Sequence, residues 1–438
     1  MPRPTSGCSS DPYIPRMTLD RRGMLGALGG LAALRVLPGG GIDPAVPSGA
    51  SMPQPGAAFP RRADFAIAPA TTYLNAAYTH PIPRVSSEAA RVAAERRAAA
   101  LPAEPGRASP KQLFARLINA NPSEIAHVSS TSAGENLVMR ALGLDHRFDG
   151  NVVTDGLHFE GALMHLDTLK RKGLDVRIAR PTDDGRVELR DLERLIDRRT
   201  RLVQVSAAAM YNGFRHDLRA IADLAHAHGA LVYVDLVHLA GAEPFDVAAS
   251  GIDFAACSSF KWLMGDFGLG FLYARESAWD RIERPVVGYY QAAEIDQHVP
   301  PFLPAGAHDP VVYAFARSAA GLFEMGALTG MAEVGVALLA RSLEYVMALG
   351  PDRIQAHRVP MIRRLQAEMP RLGFRSMTPA DSTAGNVTFA RRGVGASDVP
   401  KRLAAAGVEV RVAADWLRVS PSVYNDLTDI DRLLEALA

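Results

Sequence analysis

Between about residues 150 and 275, short apolar runs alternate with stretches whose apolar residues recur at helical spacing. Runs at 151–154, 202–206, 231–234, 254–258 and 270–273 are only four or five residues long, and segments 163–172 and 218–228 carry the helical pattern. Short runs without polar alternation suit strands of a mostly parallel sheet, because crossover helices cover both of its faces. The expectation is an α/β domain built on a large, doubly wound, mostly parallel sheet. Beyond about residue 321 the pattern changes to Ala-, Leu- and Arg-rich helical stretches, apolar runs at 386–389 and 408–411, and a closing helix from Thr428. That predicts a smaller α+β C-terminal domain over 321–438, after a large domain over 64–320.

The N-terminus reads differently. Arg21 and Arg22 precede a weakly apolar run over 26–34, and Ser48-Gly49-Ala50 offers small residues for cleavage, so residues 1–50 read as a twin-arginine export signal. The run is interrupted by Arg35 and falls short of the ~20 apolar residues a spanning helix needs. Residues 51–63 are expected to form a flexible Pro- and Gly-rich linker. With 438 residues, 48% of them hydrophobic, the chain can bury a large core. A formal charge of +1 nominates neither nucleic acid nor an anionic membrane as a partner. Two cysteines, Cys8 and Cys257, rule out a disulfide framework and a Cys-rich zinc site. His226 and His228, two apart on a helix, share no face for a metal, and none is expected.

The chemistry concentrates in residues 231–275. Asp235 ends one apolar run, and Lys261 follows another 261 − 235 = 26 residues later. An acid and a lysine at strand ends face one crevice at the carboxyl edge of such a sheet. Pyridoxal 5′-phosphate (PLP) requires this pairing: an amine to hold its aldehyde as a Schiff base and an acid to keep its pyridine nitrogen protonated. Either residue alone would suit a surface lysine or a helix-capping aspartate.

Asp235-x-x-His238, Gly251-Ile252-Asp253-Phe254 and Ser258-Ser259-Phe260-Lys261-Trp262 stand in the order and spacing of a known family. The chain from Tyr73 onward resembles the fold-type-I PLP enzymes of the class V aminotransferase superfamily, closest to its isopenicillin-N-epimerase-like and kynureninase-like branch. The resemblance implies the PLP-dependent transferase fold type I, with Lys261, Asp235 and His158 as catalytic residues. Thr131 and Ser132, in a hydroxyl-rich stretch leading into a helical pattern, would hold the phosphate, as helix N-termini do, with Ser258 adding a contact. His158, with Phe159 as the alternative, would stack on the cofactor, and His238 would sit near its phenolic oxygen. Arg418, in Trp416-Leu417-Arg418-Val419-Ser420, would bind the substrate carboxylate through its guanidinium fork. Asn75 would stand at the substrate mouth, and Asn212 is a further candidate for substrate contact.

Departures from the family pattern narrow the chemistry. Desulfurases of this superfamily use a cysteine on the loop before that arginine, and residues 408–418 contain none. Phe260 stands where many relatives have histidine, and Ala307 lacks the hydroxyl of the family's Gly-Thr-x-Asp-Pro segment. The expected function is an exported, PLP-dependent aminotransferase or epimerase acting on an amino acid or amino-bearing peptide through a Cα carbanion. The alternatives are a lyase cleaving at the β-carbon, of kynureninase or C–S lyase type, and an exported binding protein without catalysis. A homodimer is implied by the resemblance. The twin-arginine machinery would be a partner, delivering a folded holoenzyme to the periplasm.

Overall fold

The computed structural model describes residues 51–102, 108–297, 311–326 and 333–438. The export signal expected at 1–50 and the segment holding Ala307 lie outside the described residues.

Seven strands form the central sheet: β1 (Ile125–Val128), β2 (Asn151–Asp155), β3 (Asp175–Ala179), β4 (Thr200–Ser206), β5 (Leu231–Asp235), β6 (Phe254–Ser258) and β7 (Gly270–Ala274). They lie in the order β1-β7-β6-β5-β4-β2-β3. Neighbours from β6 to β3 are parallel, and β7 runs antiparallel to both β6 and β1. The strands alternate between two cores despite their uninterrupted apolar sequence. Val153, Val203, Val205, Val232, Val234 and Ala255 face one core, while Val152, Leu202, Leu231, Tyr233, Phe254 and Ala256 face the other. Each valine, leucine and phenylalanine among them contributes ~1.5–3 kcal/mol on burial, which fixes the register of the sheet. The edge strand β3 carries Asp175 and Arg177 and is only partly buried, so no continuous apolar run announces it.

Helices α1 (Arg84–Ala98), α2 (Pro110–Ile118), α3 (Thr131–Ala141), α4 (Glu160–Lys172) and α5 (Leu218–Ala227) belong to this domain. Ser130 caps α3 by accepting a hydrogen bond from the Ala133 amide at 3.1 Å, and Asp217 caps α5 through the Ala220 amide at 3.0 Å. Helix α6 (Glu333–Leu349) was expected in the C-terminal domain, but its Leu339 and Leu343 are buried in the first core of the large domain. The composition of α6 marked a helix without saying which core its apolar stripe would cover.

The small domain begins with α7 (Pro351–Glu368). It contains β8 (Arg375–Ser376), β9 (Val387–Ala390), β10 (Arg411–Val412) and β11 (Trp416–Val419), antiparallel in the order β8-β9-β11-β10, and closes with α8 (Leu427–Leu437). Its core joins Ile362 and Leu365 of α7 and Ile430 and Leu433 of α8 to Phe389, Leu417 and Val419 of the sheet. The run expected over 408–411 is divided: Val408–Glu409 pairs in parallel with Thr72–Tyr73, and Arg411 starts β10. Residues 51–63, expected as a flexible linker, are packed instead. Phe59 stacks on His357 of α7 with ring centroids 4.5 Å apart, and the Arg61 amide donates to the Val423 carbonyl at 2.7 Å. Between the domains, buried Glu243 accepts hydrogen bonds from Arg215 at 2.6 Å and Gln355 at 2.8 Å, with Arg358 of α7 3.8 Å away.

Candidate active site

Parallel neighbours in register bring their last residues to one edge, and here Ser206 of β4 lies opposite Asp235 of β5. Asp235 is buried, and one carboxylate oxygen accepts the Val237 amide at 2.8 Å. Burial raises its pKa, with the Val237 amide, His158 and Lys261 acting against that. A carboxylate held this way is primed for a cationic N–H partner.

Lys261 lies three residues beyond β6, on the connection that reverses the chain into β7. That connection closes on itself: the Ser259 amide donates to Leu269 O at 2.9 Å, its hydroxyl to Asp266 O at 2.6 Å, and the Gly265 amide to Ser259 O at 2.8 Å. Met264 takes a left-handed conformation, φ 56°, within it. Lys261 Nζ is 3.0 Å from His238 Nε2. Burial pushes the amine down to about 8, Asp235 opposes that, and Arg418 adds to it. His238 is driven well below its usual range, chiefly by burial. A neutral imidazole accepts from the ammonium through Nε2, so its proton sits on Nδ1, which is buried without a partner among the described residues.

His158 is fully buried. Its Nδ1 is 2.8 Å from Ser206 Oγ, and its Nε2 has no partner among the described residues. Phe159 begins α4 with its ring folded over Gly161, where an added Cβ would lie 2.7 Å from that ring, so the imidazole is the flat ring beside Asp235. At the start of α3, the Thr131 amide donates to Ser258 Oγ at 2.8 Å, the two hydroxyls are 3.0 Å apart, and the Ser258 amide donates to Thr131 Oγ1 at 3.0 Å. This interlock ties the helix N-terminus, a natural anion site, to the strand leading to Lys261. Ser132 is half-buried beside it. Phe260, in place of the family's histidine, stacks on exposed Phe267 with centroids 4.2 Å apart.

The small domain supplies Arg418 on β11. It is buried, Nη1 donates to the Met210 carbonyl at 3.1 Å, and Nε has no partner among the described residues. Burial, with help from Arg411, lowers its pKa to about 10. Asn75 is buried, bridges to Ser420 beside Arg418, and leaves Oδ1 unpaired. Asn212 has both ends of its side chain engaged by backbone. Its amide nitrogen donates to Gly185 O at 2.7 Å and its oxygen accepts the Phe214 amide at 3.0 Å, so both ends hold a turn. Three contributors escaped sequence reasoning: Ser206 behind His158, Asn386, whose Nδ2 donates to Met210 O at 3.2 Å, and Thr388, opposite Arg418 with a buried, unpaired hydroxyl. Only Ser206, at the end of an apolar run, carried a signal.

These groups fit PLP: a buried amine, a ring-nitrogen acid, a flat ring, and hydroxyls at a helix N-terminus. The unpaired buried atoms of His158, His238 and Arg418 mark where further hydrogen-bond partners belong.

Comparison with known proteins agrees. The aminotransferase class-V family model matches residues 87–433. A probable cysteine desulfurase of Methanothermobacter thermautotrophicus is 29% identical over 305 residues, covering 69% of this chain and 71% of that protein. Probable cysteine desulfurase 2 of Mycobacterium leprae is 28% identical over 348 residues, 73% and 78% of the two chains. Among solved structures, the cysteine desulfurase CsdA of Escherichia coli superposes with a TM-score of 0.72 at 23% identity, covering 86% of this chain and 96% of that one. A C-DES variant with glycine linked covalently to its PLP cofactor gives 0.74 at 19% identity, covering 86% and 99%.

Proposed function

The chain belongs to the aminotransferase class-V family and is a PLP-dependent enzyme of fold type I, and from that premise we propose that it is a lyase expelling a β-substituent, a sulfur group above all, from an amino acid. The names of its relatives support cleavage at sulfur. One observation separates it from desulfuration: the turn between β10 and β11 carries Ala413, Ala414 and Asp415, and the only cysteine among the described residues, Cys257, is buried with its thiol pushed up by burial. With no thiol among the described residues placed to take the sulfur, the leaving group would depart free.

When bound, PLP supplies a conjugated electron sink for the pair left at Cα. Lys261 would hold its aldehyde end and Asp235 its ring nitrogen. His158 would cover the ring, His238 would donate toward its phenolic oxygen, and Thr131, Ser132 and Ser258 would hold its phosphate. Arg418 receives the substrate carboxylate in its fork, which compensates a guanidinium that is otherwise buried and half-paired. Asn75 lines the entry beside it. Lys261, released from the aldehyde when the substrate amine takes its place, would remove the Cα proton through Nζ and pass it to the departing thiolate as the β-carbon–sulfur bond breaks with its electron pair going to sulfur. Hydrolysis of the remaining enamine gives pyruvate and ammonia.

Transamination or epimerisation would use the same Lys261 and Asp235 and differ in where the proton returns, so it is the second reading. The test supplies the holoenzyme with S-alkyl-L-cysteines, L-cystine, L-cysteine and other L- and D-amino acids. Pyruvate and thiol in equal amounts are expected, lost in Lys261→Ala and kept within about twofold in Cys257→Ala, since a buried small hydrophobe tolerates that change. Alanine with sulfane sulfur, or Cα inversion without pyruvate, would displace the lyase reading.

The paired arginines support a further proposal, that the folded holoenzyme is exported: Arg21→Lys with Arg22→Lys is expected to leave it in the cytoplasm on fractionation. The resemblance to the family supports a homodimer, which sedimentation tests.

A further inference from the structure

Arg418 has a neighbour of the same charge. On the small sheet, Thr388 of β9, Arg418 of β11 and Arg411 of β10 occupy directly opposed positions. Directly opposed residues of antiparallel strands point to one face, with Cα atoms ~4.5–5.5 Å apart. Arg411 therefore stands on the face from which Arg418 reaches Met210 of the large domain. Like charges so placed repel, and Arg411 is among the causes lowering the Arg418 pKa.

No acid among the described residues forms an ion pair with either arginine. Arg411 is half-buried, forms no ion pair, and lies over the ring of Tyr78, 5.7 Å from its centroid. Tyr78 is 56% exposed and follows Asn75 at the entry. Arg418 Nε and the Thr388 hydroxyl are buried without partners. The other deeply buried arginine, Arg358, faces the carboxylate of Glu243. A row with two arginines, an unpaired hydroxyl and no acid is a site for two negative charges.

We propose that Arg411 is a second anion-binding arginine, and that the substrate is an amino acid whose β-substituent ends in a carboxylate. This rests on Arg418 as the residue for the α-carboxylate. Arg418, deep in the cleft, takes that group; Arg411, nearer solvent and braced by Tyr78, takes the distal one. A carboxylate at each guanidinium group offsets their mutual repulsion, so acidic side chains are selected and neutral ones of equal length disfavoured.

The test uses holoenzyme and acids without an amine, which bind without reacting: malonate, succinate and glutarate beside acetate, propionate and butyrate, titrated calorimetrically. At least one dicarboxylate is expected to bind tenfold or more tightly than the monocarboxylate of equal length. Arg411→Gln removes that margin, while Arg418→Gln weakens both classes. Arg411→Lys, at an unaltered melting temperature, keeps part of the margin and shows that charge rather than folding is responsible. With substrates, S-carboxyalkyl-L-cysteines should have a KM at least tenfold below their S-alkyl counterparts, a difference lost in Arg411→Gln. A wild-type enzyme that binds both classes equally, or an Arg411→Gln enzyme that keeps the margin, overturns the proposal. An Arg418→Gln enzyme that still binds monocarboxylates as tightly overturns the underlying assignment instead.

Discussion

In the cofactor-free protein Lys261 is 9% exposed, and its pKa falls from 10.5 to about 8, chiefly through burial. The folded chain therefore binds this proton more weakly than the unfolded chain. Between pH 8 and 10.5 unfolding takes up a proton, so stability rises with pH across that window, and below pH 8 the full penalty is present. A difference of 10.5 − 8 = 2.5 in pKa corresponds to about 3 kcal/mol. Lys261→Met removes it. The variant should exceed the wild type by about 3 kcal/mol at pH 6.5 and about 1 kcal/mol at pH 9.5, before a constant offset of ~1 kcal/mol for the lost bond to His238. That offset is the same at both pH values, so the difference of about 2 kcal/mol between them is the diagnostic quantity. Urea unfolding of both cofactor-free proteins, followed by circular dichroism, measures it. A margin independent of pH, or one that grows as pH rises, would refute the claim that burial holds this amine down.

Two further outcomes follow from packing. A Cβ at Gly385 would lie 2.4 Å from Cζ2 of Trp262, the residue after Lys261, so Gly385→Ala should cost about 1–3 kcal/mol in thermal unfolding and alter the visible spectrum of the holoenzyme by moving the lysine. Arg358→Ala strips Glu243 of one buried cation while leaving Arg215 and Gln355 in place, so its cost in urea unfolding should lie near the low end of the ~3–5 kcal/mol range for broken buried pairs. Arg358→Met with Glu243→Gln should recover most of that.

The legible part of the molecule was the part written in uninterrupted apolar runs. Asp235, Ser258 and Lys261 end or follow such runs, and the parallel register carries them to one edge, where His158 and His238 join them. Strand β3 was not visible because an edge strand keeps charged residues on its open side. Residues 51–63 read as a linker because composition records flexibility but not the surface Phe59 will stack on. The family likeness suggested Asn212 for substrate contact, and sequence alone did not show that its side chain bonds the backbone two residues on. The row of Thr388, Arg418 and Arg411 joins strands from two separate stretches of chain, so only the sheet brings it together.

The groups that would handle the cofactor's ring and aldehyde, Asp235, His238 and Lys261, fall within one short span of chain on the large sheet, whereas both arginines of the small sheet hang on one hairpin more than a hundred residues later. Chemistry and appetite are thus inherited on different pieces. On the proposed roles of the two arginines, a change of substrate would need only residues 411–418 to be revised, while the lysine and its acid stay as they are.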